Sequence, residues 1–511
     1  MRTYQGGRRG APPGRRRSRW LLAGSLVAGS LVVGMSGAAV VGEPAAAAPS
    51  PVLRGDDSGQ WDRDDRREQR RGNLGARGAE DPGERRRAGP AGKRPGTGQR
   101  AEIRVPCDAG KLVAALVRAN AEGGADLRLA PRCRYELTHA FAQPDDYDGG
   151  ISDAREAADS AENPGDAEAP PRDPRHDRAG LPVIYQPITI RGEGATIVRG
   201  PRAEAFRFFT VRDGGELTLS DAVLRNGLSE AEGGSIYVVH GASAVIERTT
   251  LVDSTSLSAE QGGGAIFNDG NMVVTGSRFI ANHAAGTEGK GGGLLNGGVL
   301  DLRDSVFRGN SAVAYGGGLA NYRGAAEVDS SVFARNDAAQ GGGVASFSAR
   351  TRLAGTKVVG NKAQTGGGVA NSDALIFLRD VQVRDNTATG NGGGISTFQG
   401  LVPVDDSVVA GNRARGDGGG IFAEKSNLLV RHSEVDRNRA VGAESTGGGV
   451  FATQGQVSFF FTRVAGNDAT TKPGGVFVDQ ASLKIDEATA VVDNEPTNCA
   501  GSRIPVAHCL R

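Results

Sequence analysis

Asp405 and Asp406 stand side by side in the C-terminal half of the sequence. Two suitably spaced carboxylates can supply the acid and the base, or the acid and the nucleophile, that cleave a glycosidic bond. His240, His283 and His432 are of the type that titrates near neutrality and serves as a general base. Arg303, Arg379 and Arg431 recur at one place in a repeat and could meet an anionic polymer. Phe422, Phe451 and Phe477 share another place, where flat apolar rings could stack on sugar or on one another. Asp145, Asp146, Asp148 and Asp153 could hold calcium, but they lack the spacing of a calcium loop, so a solvated loop is expected.

Register decides how these residues are read. Asp406 falls in step with Asp304 of another repeat, which marks it as a repeat position rather than half of an acid pair. The three histidines occupy three different repeat positions, and His283 is expected to be exposed. The arginines should point outward as a basic stripe, either solvated or in contact with an anionic polymer. The three phenylalanines are expected to stack inward; an outward apolar strip is the alternative. The glycine clusters carry no following Lys-Ser/Thr and recur unit after unit, so corner geometry explains them better than phosphate binding. No catalytic residue, cofactor-binding residue or metal ligand is assigned.

The elements that would position these residues are set by a recurring asparagine: Asn226, Asn282, Asn310, Asn336, Asn361, Asn386, Asn412, Asn438, Asn467 and Asn494, with Ser254 filling one gap. The period is roughly 25–29 residues, within the range of stacked repeats. Three residues earlier comes an apolar residue, as in Phe279, Phe307, Phe333 and Val358. Five earlier a hydroxyl is usual (Ser277, Ser305, Ser331), and eight earlier an aliphatic residue (Val274, Leu302, Val328). By this count Thr218 and Asp486 break the last rule in the end units. Most units open with a glycine cluster and an aliphatic residue, such as Gly291-Gly292-Gly293-Leu294.

Glycine triplets weaken helices, and the apolar residues within a unit alternate with period two. Short strands with Gly and Asn corners, stacked in near-identical units, make a right-handed parallel β-helix, an all-β solenoid. Eleven Asn/Ser positions at about 4.8 Å per coil give a rod of roughly 50 Å. The asparagines are expected to take the left-handed corner conformation and to bond along the stack as a structural ladder.

The chain has 511 residues and a formal net charge of +1, but its charges are segregated. Residues 1–48 read as a signal peptide: Arg15-Arg16-Arg17-Ser18-Arg19, an uncharged stretch from Trp20 to Val41, then small residues at Ala45–Ala48. An uncleaved signal anchor is the alternative, and the only expected membrane contact. Residues 49–100 form an Arg/Asp/Gly/Pro-rich linker with almost no aliphatic residues. Residues 101–180 form a small α/β N-terminal cap, with a helix from about Ala109 to Ala121 behind Asp108 and an acidic loop insertion at about 142–179. Coils follow over 181–494, and 495–511 close the rod. The four cysteines lie as local pairs at the two ends of the repeats, and Cys107–Cys133 and Cys499–Cys509 are expected as disulfides; zinc is the minor alternative.

Gly263-Gly264-Ala265-Ile266 with Phe279-Ile280-Ala281-Asn282 resembles the GGAI and FxxN repeats of the polymorphic outer-membrane-protein family. The match recurs at Phe307-Arg308-Gly309-Asn310 and Phe333-Ala334-Arg335-Asn336. More broadly, the region from 101 onward resembles secreted right-handed parallel β-helix repeat proteins of high-GC bacteria. Those share a Cys-containing helical cap and a strand pair like Pro187–Ile197 here. The resemblance implies the pectin-lyase-like solenoid. The polymorphic family's autotransporter barrel has no counterpart in the sequence, so a secreted, extracellular or wall-associated protein is expected. The expected function is non-catalytic: a repetitive surface for adhesion or for binding a polysaccharide or cell-envelope polymer, not nucleic acid. A polysaccharide lyase or glycoside hydrolase is the first alternative, a purely structural spacer the second.

Overall fold

The structure is a computed structural model that describes residues 102–141, 177–506 and 509, all within the compact unit Lys93–Arg511. The signal peptide, the linker and nearly all of the acidic insertion lie outside the described residues. The chain winds as a right-handed parallel β-solenoid of about 14 turns. Its strands form sheets of 22, 13 and 10 strands, hereafter sheets 1, 2 and 3.

One coil shows why these residues adopt this path. Gly316 opens it with φ 62°, a left-handed conformation that costs glycine little. At Gly317 an added Cβ would lie 2.4 Å from Asp337 O, so the next coil comes too close for any side chain. Leu319–Tyr322 and Ala325–Asp329 then run in sheet 1, Val332–Ala334 in sheet 2 and Asp337–Gln340 in sheet 3. Arg323, Ser330 and Arg335 sit between these strands at φ 61°, 49° and 56°. Each such residue turns the chain and leaves alternation intact on both sides. Leu319, Asn321, Val328, Ser331, Phe333 and Asn336 therefore all point into the lumen and are buried.

Stacking coils in register turns these positions into columns. Phe279, Phe307 and Phe333 lie with ring centroids 4.2 and 4.8 Å apart. Beside them run the asparagines. The Asn336 amide donates to Asn361 Oδ1 at 3.0 Å and to Phe307 O at 3.1 Å, and its backbone N–H reaches the same Asn361 Oδ1 at 2.9 Å. Both amide hydrogens and both oxygen lone pairs are used, which is what a buried amide requires. The pattern runs from Asn282 to Asn494, whose amide and backbone N–H both end on Asn498 Oδ1. In the hydroxyl column Ser277 N–H donates to Ser305 Oγ and Ser305 N–H to Ser331 Oγ, both at 3.1 Å. Val381 interrupts it.

The register corrects three expectations. The left-handed residue is the one before each ladder asparagine: Ala281, Arg335, Asp385 and Arg437 at φ 51°, 56°, 55° and 50°. That turn swings the next side chain inward, where an amide can bond the coils above and below. Asn226 is not in the column. Val223 pairs with Thr250 and Leu224 with Leu251, so Asn226 falls on the left-handed corner at φ 62° and Gly227 on the ladder position. The same one-residue shift places buried Leu219, not Thr218, opposite Ile246. In the last coil Ile485, not Asp486, pairs with Phe459. Asp486 instead caps the corner, accepting from Thr489 Oγ1 at 2.6 Å and Phe461 N–H at 3.2 Å.

The first coil is closed by helix α1 (Ala109–Ala121), whose N-cap Asp108 accepts from Lys111 N–H at 2.9 Å. Leu112, Leu116 and Ala119 lie on the core, and the Asn120 amide donates to Val183 O at 2.8 Å. Cys107–Cys133 ties the strand before the helix to the coil beneath it, and Cys499–Cys509 closes the other end.

Candidate functional site

On the outer surface of sheet 1 the coils leave a trough of about 530 Å³. Ser348, Asp373, Gln399 and Lys425 form one rim and occupy the same left-handed corner in successive coils, at φ 46°, 47°, 49° and 50°. Leu375, Leu401 and Asn427 form the other rim, paired in register along the rod. Ala349, Ala374 and Gly400 make the floor. Gly400 is a glycine for a reason: a Cβ there would lie 2.1 Å from Asn371 Nδ2. The trough is thus apolar on one side, with Leu401 40% exposed, and on the other carries an amide, a hydroxyl, an ammonium and its single carboxylate, Asp373. The Lys425 ammonium sits 5.3 Å above the Phe398 ring, which holds it over the surface.

The structure separates the residues that type and spacing had suggested for chemistry. Asp405 is held bidentately by Arg431 at 2.8 and 2.7 Å. Asp406 occupies the left-handed corner at φ 49° and lies 3.8 Å from Arg379. The two carboxylates therefore serve different ion pairs. The bond to Asp405 pushes the Arg431 guanidinium above its ordinary range. Arg303 likewise bonds Asp301 at 2.5 Å. The expected basic stripe is instead a column of alternating sign, with Asp329 beside Arg303 and Asp405 between Arg379 and Arg431. The reason is Coulombic: like charges one strand apart repel, and alternation relieves this.

The histidines do not converge. His432 is a left-handed corner residue stacked 5.1 Å from exposed Phe461. His283 is half-buried rather than exposed, because its Nδ1 lies 2.8 Å from Ser311 Oγ of the next coil. The rings of Phe422, Phe451 and Phe477 stack 5.1 and 4.9 Å apart, but outward. Their strand neighbours Ile421 and Ala423 belong to the lumen core, so strand alternation turns the rings to the outer face. Phe451 and Phe477 are half-buried there.

A second buried column escaped the sequence reading. Asn268 donates to Asn296 Oδ1 at 2.7 Å and Asn296 to Asn321 Oδ1 at 2.8 Å. Asn371 and Thr397 continue it beneath the trough at 3.3 Å. Its mark in the sequence is an Asn, Ser or Thr two residues after the aliphatic residue of the glycine clusters from Ile266 to Ile395, as in Leu294-Leu295-Asn296 and Val369-Ala370-Asn371; Ala423, Ala452 and Val478 end it. No group of His, Cys, Asp and Glu among the described residues is arranged to hold a metal ion. No helix among them is long and apolar enough to cross a membrane.

No protein-family model and no curated protein matches the sequence. Among solved structures, the tailspike protein of E. coli bacteriophage HK620, in complex with a pentasaccharide, is similar over 77% of this chain and 64% of its own, with 13% identity and a TM-score of 0.38. This chain thus spans a little under two thirds of the tailspike's length. The A-module of one mannuronan C-5 epimerase of Azotobacter vinelandii is similar over 79% of this chain and 95% of its own, with 12% identity and a TM-score of 0.30. A second such module covers 76% and 96%, with 15% identity and a TM-score of 0.31. The likeness is to the parallel β-helix.

Proposed function

We propose that the chain is a non-catalytic, secreted or cell-surface β-helix that binds glycan along its outer surface. The observation that supports this reading is the trough on sheet 1. A sugar ring has one apolar face and a rim of hydroxyls. Half-buried Leu375 and exposed Leu401 offer the apolar wall, and Ser348, Asp373, Gln399 and Lys425 offer donors and acceptors across from it. Equivalent positions repeat at about 4.8 Å along the axis, and two successive coils set a leucine in the wall, so a linear polymer lying along the axis would meet both. Cleavage by paired carboxylates needs two acids facing one bond. Asp373 stands alone in the trough, and Asp405 is tied to Arg431. Two disulfides suit an oxidising compartment. The signal peptide at 1–48 and the spacer at 49–100 belong to the same proposal.

The test is a glycan array with the full chain, alongside assays for reducing ends and for unsaturated uronate products. Binding without turnover, weakened at least tenfold by Leu401→Asp, supports the reading. Product release from any polymer overturns it in favour of a lyase or hydrolase. Absence of any glycan ligand overturns it in favour of a spacer.

A further inference from the structure

Sheets 2 and 3 carry a different surface from sheet 1. In the four coils passing through residues 332–340, 357–365, 382–390 and 408–416, these sheets present Arg335, Lys357, Lys362, Arg384, Arg413 and Arg415. Against these six cations stand two carboxylates, Asp337 and Asp385. Arg384 is half-buried and the other five are exposed. None of the six makes an ion pair or a side-chain hydrogen bond with another described residue. On sheet 1, by contrast, Arg303, Arg379 and Arg431 each have an aspartate partner.

Register sharpens the contrast. Arg413 pairs with Arg439 in sheet 3, placing two guanidinium-bearing side chains on one face of neighbouring strands. Like charges directly opposite destabilise a sheet. Arg439 approaches Asp468 at 3.9 Å, whereas Arg413 has Thr387 on its other side. The fold has no use for this arrangement, since the column accepts a threonine one coil earlier. The cations lie on both sides of a corner formed by one residue per coil (Arg335, Gly360, Asp385, Gly411), so sheets 2 and 3 present them as one strip along the rod.

We infer that this strip is a second binding surface, and that its ligand is a linear acidic polysaccharide lying parallel to the rod. Cations repeating at the coil spacing match a chain whose carboxylates repeat along one direction. Six cations over four coils, of which Lys362 faces a carboxylate in register, Asp337, attract such a chain from a distance and hold it by several weak contacts. The strip is on different sheets from the trough, so the inference stands or falls independently of the glycan reading of sheet 1.

The experiment measures binding of the full chain to a polygalacturonate oligomer, to an uncharged dextran of the same length, to inorganic polyphosphate and to duplex DNA, at low and physiological salt. The expected result is binding to polygalacturonate that weakens steeply with salt, with no binding to dextran at this surface. The triple variant Lys357→Glu, Lys362→Glu, Arg413→Glu should lose at least tenfold in affinity. The control Arg303→Glu, Arg379→Glu, Arg431→Glu should lose less than threefold. Glutamine replacements at the three strip positions, with unchanged circular dichroism and melting, should reproduce the loss if the glutamate triple folds poorly. Equal loss in strip and control variants overturns the inference, as does no affinity for polygalacturonate. Equal or tighter binding of DNA or polyphosphate overturns the polysaccharide assignment. A loss confined to Leu401→Asp would leave the trough standing and remove the strip.

Discussion

The inside and the outside of this rod obey one stacking rule with opposite consequences. Inside, asparagine repeats on asparagine from Asn282 to Asn494, and each copy strengthens the next because an amide both donates and accepts. Outside, a charged side chain repeated on itself would repel. On sheet 1 the column through Arg303, Asp329, Arg379, Asp405 and Arg431 alternates in sign, with Arg431 bonded bidentately to Asp405, and at the neighbouring corner Arg248 bonds Asp221 in the same way. On sheets 2 and 3 Asp337 faces Lys362, Glu434 faces Arg463 and Arg439 faces Asp468, but Arg413 stands beside Arg439. The lesson is where information lies in a solenoid. Uniform columns inside report the fold, whereas the charge pattern outside varies from coil to coil, as Asp301 beside Glu327 and Arg413 beside Arg439 show.

The comparison breaks most readily from within. Phe307 is fully buried between Phe279 and Phe333. Phe307→Ala should cost about 4 kcal/mol through lost burial and the cavity left behind. Denaturant unfolding measures this, and a loss below about 1 kcal/mol would mean that neighbouring coils can collapse onto the gap. Asn361→Ala should cost about 3 kcal/mol. It strips the acceptor from the Asn336 amide and backbone N–H, and the donors from Phe333 O and Asn386 Oδ1. Asn361→Asp should be no better at neutral pH, because a carboxylate has no hydrogen to give to Phe333 O or Asn386 Oδ1. An unchanged melting curve for both would show that the ladder does not hold the coils together.

Much of the interior was legible in the sequence, because a column needs the same residue type at one spacing. Phe279, Phe307 and Phe333 declare it, and so do the hydroxyls before them. The first coil misled because its Asn226 has the right type on the wrong side of a corner, and only strand pairing reveals the one-residue shift. The second column stayed hidden because Ser346 and Thr397 interrupt its asparagines and Ala423 ends it, so no single residue type marks it along the rod. The outward side chains were least legible. Phe422 and Ile421 are adjacent and both apolar, and nothing in their types says which one faces the lumen. The trough depends on Ala374 and Gly400 being small while Leu375 and Leu401 project, a matter of register between coils.

The exterior should be far more tolerant than the interior. Arg431→Ala removes a bidentate pair with Asp405, but Arg431 is 45% exposed, so the loss should stay below about 1 kcal/mol and shrink as salt is raised. A loss of several kcal/mol, insensitive to salt, would mean that outer ion pairs hold the coils as the amides do.

Asp417 sits on the boundary between the two regimes. Its backbone N–H donates to Asn391 Oδ1 at 2.9 Å, and its own Oδ1 accepts from Thr446 N–H at 2.8 Å. This is the amide-ladder pattern with a carboxylate in one rung. Burial pushes the Asp417 pKa above its ordinary range, and the Thr446 bonds only partly oppose this. A carboxyl whose pKa is raised on folding stays protonated longer in the native state than in the unfolded chain. Its cost to stability is therefore absent below the unfolded pKa, grows as pH rises toward the folded pKa, and is constant above it. An amide keeps the Oδ1 acceptor without the charge. Asp417→Asn should therefore stabilise the protein at pH 7 by less than about 1 kcal/mol. The gain should vanish when melting is measured below the normal carboxylate range. A gain that persists at low pH would come from packing. A loss at pH 7 would mean that Thr446 needs the charged form, and that this rung belongs to the exterior.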